Sequence, residues 1–232
     1  MKVNKYKFGF TLAEILITLG IIGIVAAMTL PTLITNIQAS QLKSKFKVAA
    51  SNFSNLIKTM ENEGSDWNPD SVQYHENPSS YYKEFMKYVK GATDCGVGSS
   101  KKKPCYAGNR WSGDERMKYK QLSGPVADGN LFESGHFIAP NGQTWLFFRH
   151  TAPKWNWTLI TIDVNGYLGG PNKLGVDLFT WYYNNNDGEW HAGDSRFKCS
   201  SKVKDGWNGV GCTTRALQEE DYFKKALRGE IE

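Results

Sequence analysis

The sequence predicts an α+β chain: one long N-terminal helix, its first half membrane-spanning, packed by its second half on an antiparallel β-sheet head. Three observations carry that prediction. Residues 15–34 are apolar and free of charge, apolar residues then recur at helical spacing to Met60, and apolar runs with strand character follow Gly135. No strand–helix–strand alternation accompanies those late runs, so the sheet is antiparallel rather than parallel. At 232 residues the chain suits one good-sized domain plus an extension. Hydrophobic residues make up 40% and aromatics 13%, eight of them Trp, which suits a packed head rather than disorder.

The first element is a basic leader over residues 1–9, with Lys2, Lys5 and Lys7 and no acid. The apolar segment of residues 10–34 follows. Its stretch from Ile15 to Ile34 is about 20 residues, or roughly 30 Å of helix, enough to cross a bilayer. The lysines hold the leader in the cytoplasm, and the chain beyond Lys43 faces outward. Gly20, Gly23 and Pro31 punctuate the run, and Pro31 removes a helix hydrogen bond and loosens or kinks the helix near it. Residues 35–63 continue the same helix amphipathically. Leu42, Phe46, Ala49, Ala50, Phe53, Leu56, Ile57 and Met60 form one face, and Lys43, Lys45, Lys47, Asn52, Asn55 and Lys58 the other. Gly64 and the turn-rich residues 65–70 stop it.

In the head, residues 64–232, the segment 81–89 reads as a short amphipathic helix and 91–116 as loop. Lys101, Lys102 and Lys103 read as a solvated loop tip, with an anionic contact site as the alternative. Residues 135–139 and 144–148 form a hairpin around Asn141-Gly142; residues 157–162 and 178–182 supply two more strands. Trp145, Trp155, Trp157, Trp181 and Trp190 fall in this region. Core packing explains them most simply, and an exposed platform for glycan or single-stranded DNA is the sharper alternative.

Composition narrows the function classes. The formal charge is +5, from 28 Lys and Arg against 23 Asp and Glu. Three of those lysines sit in the leader, so its removal leaves 25 against 23, a net of +2, which is a poor basis for nucleic-acid binding. The four cysteines fall as two local pairs, Cys95 with Cys105 and Cys199 with Cys212, without zinc-ligand spacing. Beyond an export segment they read as two disulfides closing short loops; four free thiols are the alternative. No Gly-x-Ser-x-Gly elbow or phosphate-binding loop is present, and the acids and His75, His136, His150 and His191 form no catalytic constellation, so the chain reads as a non-enzyme.

The anomaly is Glu14, an acid at the start of an apolar helix, where a carboxylate calls for a dedicated partner. An ordinary signal peptide cut near Ala26-Ala27, or a plain anchor, leaves it unexplained. The string Gly9-Phe10-Thr11-Leu12-Ala13-Glu14 ahead of the apolar run resembles the class III signal peptide and N-terminal helix of type IV pilins and type II secretion pseudopilins. That resemblance implies a pilin-like fold, and cleavage between Gly9 and Phe10 by a prepilin peptidase. It also implies N-methylation of Phe10 and a filament in which Glu14 neutralises a neighbouring subunit's amino terminus. In the resembled family the stretch around Pro31 is where the helix can unwind as subunits pack. Its partners would be other pilin or pseudopilin subunits and the cytoplasmic membrane. A surface-displayed binding module, an adhesin or DNA receptor carried on the same anchor, is the alternative function.

Between the last two strands, Asp163-x-Asn165-Gly166, Gly170-Pro171-Asn172 and Gly175-x-Asp177-x-Phe179 resemble a pattern of pseudopilin-like heads. Oxygens of Asp163, Asn165 and Asp177, with backbone carbonyls, form a candidate calcium site. The spacing and terminal Glu of an EF-hand are missing, and a metal-free turn in which Asp163 and Asn165 cap backbone amides is the alternative.

Overall fold

The computed structural model describes residues 9–65, 67–69, 77, 80–98, 104–105, 119–128, 133–152, 155–193 and 195–232; the side chains of 150–157 are outside that description. Residues 1–8 of the leader and Lys101, Lys102 and Lys103 therefore lie outside the described residues, as do the side chains of His150, Trp155 and Trp157. The chain divides into two compact units, residues 1–38 and 39–232.

Helix α1 runs Leu12–Asn62 and stays helical through Pro31. Within the first unit its apolar side chains face outward on every side: Leu16, Ile17, Ile21, Ile22, Ile24 and Val25 are all more than half exposed. A helix that is apolar all round and unpacked is suited to lipid or to a helix bundle, not to water. By length and composition it can cross a membrane.

Within the second unit α1 behaves as an amphipathic helix. Ala39, Leu42, Phe46, Ala49, Phe53, Leu56, Ile57 and Met60 are buried, and the lysine-bearing face is left outside. Phe46 meets Phe179 at 4.3 Å between ring centroids and Phe223 at 5.6 Å, while Phe53 stacks on Trp181 at 4.8 Å. Each such side chain contributes roughly 1.5–3 kcal/mol by leaving water.

Among the described residues the sheet has six strands: β1 (Thr93–Gly96), β2 (His136–Ile138), β3 (Thr144–Ala152), β4 (Trp155–Asp163), β5 (Leu178–Asn184) and β6 (Glu189–Ala192). They lie in sequence order and every pairing is antiparallel, a simple meander. The register sets Phe147 opposite Ile160, and Ile160 opposite Trp181, on the face that meets α1. The alternate residues Leu146, Phe148, Leu159 and Leu178 enter a second cluster with Tyr119, Ala127, Leu174 and Val210. Both faces are covered, which is why Trp145-Leu146-Phe147-Phe148 reads as an unbroken apolar run.

The remaining helices are short: α2 (Tyr81–Lys87), α3 (Cys212–Gln218) and α4 (Tyr222–Arg228). Helix α2 packs Tyr81, Tyr82 and Phe85 around Phe147. Gly135 is needed there, because at φ +115° a Cβ would stand 2.0 Å from the Tyr82 ring. Disulfides join Cys95 to Cys105 and Cys199 to Cys212, with Cα separations of 5.3 and 5.0 Å.

The structure departs from the sequence reading in three places. Strand β1 lies inside the segment 91–116 that the sequence presents as loop. Strands β3 and β4 run several residues longer than the apolar runs that mark them. Strand β6 and helices α3 and α4 arise where the sequence analysis assigned no element.

Candidate functional site

The N-terminal end of α1 is built around Thr11 and Glu14. The Thr11 backbone N–H donates to Glu14 Oε2 at 2.8 Å, the Thr11 hydroxyl donates to the same oxygen at 2.9 Å, and the Glu14 N–H donates to Thr11 Oγ1 at 3.2 Å. This is a reciprocal capping box, satisfying amides that a helix start leaves without partners. The signal for it, Thr-x-x-Glu at 11–14, is present in the sequence, where the charge of Glu14 in an apolar run masks its second role as the partner of Thr11. Both Thr11 donors converge on Oε2, and Oε1 has no bond within the described residues. Phe10, 85% exposed, and Gly9 precede the cap. Further along, Thr18, Thr29 and Thr35 turn their hydroxyls back to the carbonyls of Glu14, Val25 and Pro31, so they present no spare donor to an apolar surrounding. The Thr35 bond occupies the Pro31 carbonyl.

The second constellation lies between β4 and β5. Asp163 and Asp177 are fully buried. Asp177 accepts the backbone N–H of Asn172 at Oδ2, 2.8 Å, and of Lys173 at Oδ1, 2.7 Å. Asp163 accepts the Asn165 N–H at 3.2 Å and the Tyr119 hydroxyl at 3.4 Å. Burial, and then the neighbouring Asp177 charge, push Asp163 well above the usual carboxylate range. Burial likewise pushes Asp177 up to about 6. Asn165 donates through Nδ2 to the Gly170 carbonyl at 2.5 Å. The buried amide oxygens Asn165 Oδ1 and Asn172 Oδ1 find no hydrogen-bond partner among the described residues. Carboxylate and amide oxygens are the hard donors that suit Ca²⁺, and here both carboxylates already accept hydrogen bonds from backbone amides. Among the described residues, no group of three or more His, Cys, Asp or Glu is placed to hold a metal.

The remaining candidates disperse. His136 is buried in β2, makes no hydrogen bond of ordinary geometry through its ring, and has its pKa pulled down to about 4 by burial, against the Gly96 backbone and Asp94. His191 pairs with Asp187 on the surface at 2.9 Å. Trp145 and Trp181 are buried beneath α1, whereas Trp190 is only partly buried.

An exposed apolar helix with one capped carboxylate in its first turn, continuing into a helix packed on an antiparallel meander, is an α+β architecture consistent with the pilin fold, and its apolar first half fits a single-pass membrane anchor. Comparison with known families agrees at the N-terminal end. Residues 4–30 match the prokaryotic N-terminal methylation motif, the cleavage and methylation segment of type IV pilins and pseudopilins. The match covers the N-terminal segment and stops short of the head. No curated protein and no solved structure matches the chain.

Proposed function

We propose that this chain is a filament subunit, made as a membrane-held precursor, cut between Gly9 and Phe10 by a prepilin peptidase and methylated on the new Phe10 amine. The observation that carries the reading is the methylation motif over residues 4–30, with the single carboxylate of Glu14 inside its apolar run. Its domains are then a leader (1–9), a membrane and filament-core helix (10–34), an amphipathic continuation (35–63) and a head outside the cytoplasm (64–232). In the filament, Glu14 Oε1 takes the amino terminus of a neighbouring subunit while Oε2 keeps its bonds to Thr11. Two charges that are costly alone in an apolar core then cancel, which favours one axial register. A type II secretion pseudopilus and a type IV pilus both use subunits of this design. Pro31 is the point at which the helix loosens on packing.

Calcium belongs to the same reading. Asp163, Asp177, Asn165 Oδ1 and Asn172 Oδ1 would hold the ion, and its charge would offset the repulsion between two buried carboxylates.

Co-expression with a prepilin peptidase tests the main reading by intact mass. The expected product begins at Phe10 and is one methyl group heavier than its sequence. Full-length protein, or a product cut near Ala27, would overturn it.

A further inference from the structure

The head carries a groove of about 450 Å³ between α1 and β6. Its walls include Trp67, Trp181 and Trp190, and its rim carries Lys58, Glu61 and Glu189. Phe53 forms part of the floor, stacked on Trp181 at 4.8 Å and edge-on to Trp190 at 5.4 Å. Trp67 and Trp190 are partly buried and both line the groove, so each keeps some surface open there. Lys58, Glu61 and Glu189 are exposed. The volume, and the aromatic lining with a few polar groups, are those of a small-ligand site. Two other grooves among the described residues differ in make-up: one has Trp145, itself buried, as its tryptophan, and the second is lined by Tyr182 and His191 instead.

From this we infer that the groove binds a neutral glycan, one or two pyranose rings at a time. A pyranose has an apolar C–H face that lies on an indole and a ring of hydroxyls that both donate and accept hydrogen bonds. The groove offers the matching pair: indole surface at Trp67 and Trp190, acceptors at Glu61 and Glu189, and a donor at Lys58. Single-stranded nucleic acid would also stack on the indoles, but its phosphates would meet two carboxylates for one ammonium. A wholly apolar partner would leave the three charges desolvated and unmatched. The site depends on the head's fold and not on filament assembly, so it stands or falls separately from the processing pathway.

The test is isothermal titration of the full-length chain in detergent micelles with chitotriose, cellotriose and maltotriose, and with oligo(dT) as the competing class. At least one trisaccharide should bind saturably with a Kd of about 1 mM or tighter, as expected of an open groove with few polar contacts. Trp67→Ala and Glu189→Ala should each weaken that binding about tenfold or more, and Trp207→Phe, outside the groove, should leave it unchanged. Glu61→Gln is an exposed rim substitution that keeps the head folded, and it should weaken binding severalfold. Oligo(dT) binding without sugar binding would overturn the inference. So would no saturable heat from any trisaccharide at about ten times that concentration, or sugar binding that survives Trp67→Ala and Glu189→Ala in chains whose melting is unchanged.

Discussion

Between Leu12 and Gln38, α1 leaves Leu16, Ile21, Ile24 and Leu33 in the open; between Ala39 and Asn62, it buries Leu42, Phe46, Phe53 and Ile57. The residue types overlap and the backbone is the same helix, so propensity does not distinguish the two halves. The distribution of charge does. The first half has apolar residues on all sides and one acid at its start, whereas the second confines them to a stripe and sets lysines opposite. A stripe can be covered by one sheet, but an all-round apolar cylinder needs an apolar environment on every side. The lesson is that one continuous helix can hold two separate solvation requirements, with the boundary fixed by where the first lysines appear.

Glu14→Ala should separate the halves most sharply. Filament assembly falls below detection by shear fractionation, while the melting temperature of the head does not move. A head that melts differently in this variant would break the comparison. Next, Phe46→Ala should cost about 3–5 kcal/mol in urea unfolding, because Phe46 fills the space between Phe179 and Phe223. Ile21→Ala, an equally apolar position in the exposed half, should stay within about 0.5 kcal/mol in the same assay. Comparable losses at both sites would mean that the first half is also packed.

Opening the Cys199–Cys212 bridge with a double Ser substitution should cost about 2–4 kcal/mol, read as a shift in the urea midpoint. The bridge also sits among close contacts. Tyr222 donates to the Gly175 carbonyl at 2.6 Å, and at Gly175 a Cβ would lie 2.7 Å from Cys212 Sγ.

The pH dependence has a defined sign. The folded-state pKa of His136 lies near 4, below its unfolded value of about 6.5. Its contribution is therefore complete above pH 6.5 and lost as pH falls towards 4, at most about 3 kcal/mol. Asp177, raised to about 6, acts in the opposite direction over the same range. The measurement is thus the difference between wild type and His136→Phe at pH 7 and pH 4.5, in which the aspartate contribution cancels. No pH-dependent difference would show that His136 titrates normally.

Thr11→Val should have the smallest effect. It removes the hydroxyl from the capping box but keeps the Thr11 N–H bond, costing about 1 kcal/mol at the helix start. The expected result is a partial loss of filament yield that Thr11→Ser restores.

These particular residues also show how far the sequence could be read. The long helix was legible because its period is sustained over many turns, and the β2–β3 turn because Asn141-Gly142 has a local mechanism: the Gln143 N–H donates to Asn141 Oδ1 at 3.1 Å. Strands β1 and β6 were not. They form the two edges of the sheet, and edge strands such as Thr93-Asp94-Cys95-Gly96 and Glu189-Trp190-His191-Ala192 carry polar residues that blunt pairing. Helices α3 and α4 have seven residues each, too short to hold alone, and packing of Cys212 and Ala216 from α3 and of Tyr222 and Phe223 from α4 in the core sustains them. In the candidate loop, the ligand types could be read from the sequence. The burial of Asp163 and Asp177 could not, because it follows from the register that sets Asp163 opposite Leu178.

The division after Gln38 has a mechanical consequence. The core side chains begin at Ala39 and those open to the surroundings lie before it. Residues 9–38 can exchange one apolar environment for another, lipid for neighbouring helices, without breaking a contact inside the head. On the proposed filament reading, the work of that transfer would depend on the helix's surroundings alone, and the folded head would pass through it intact.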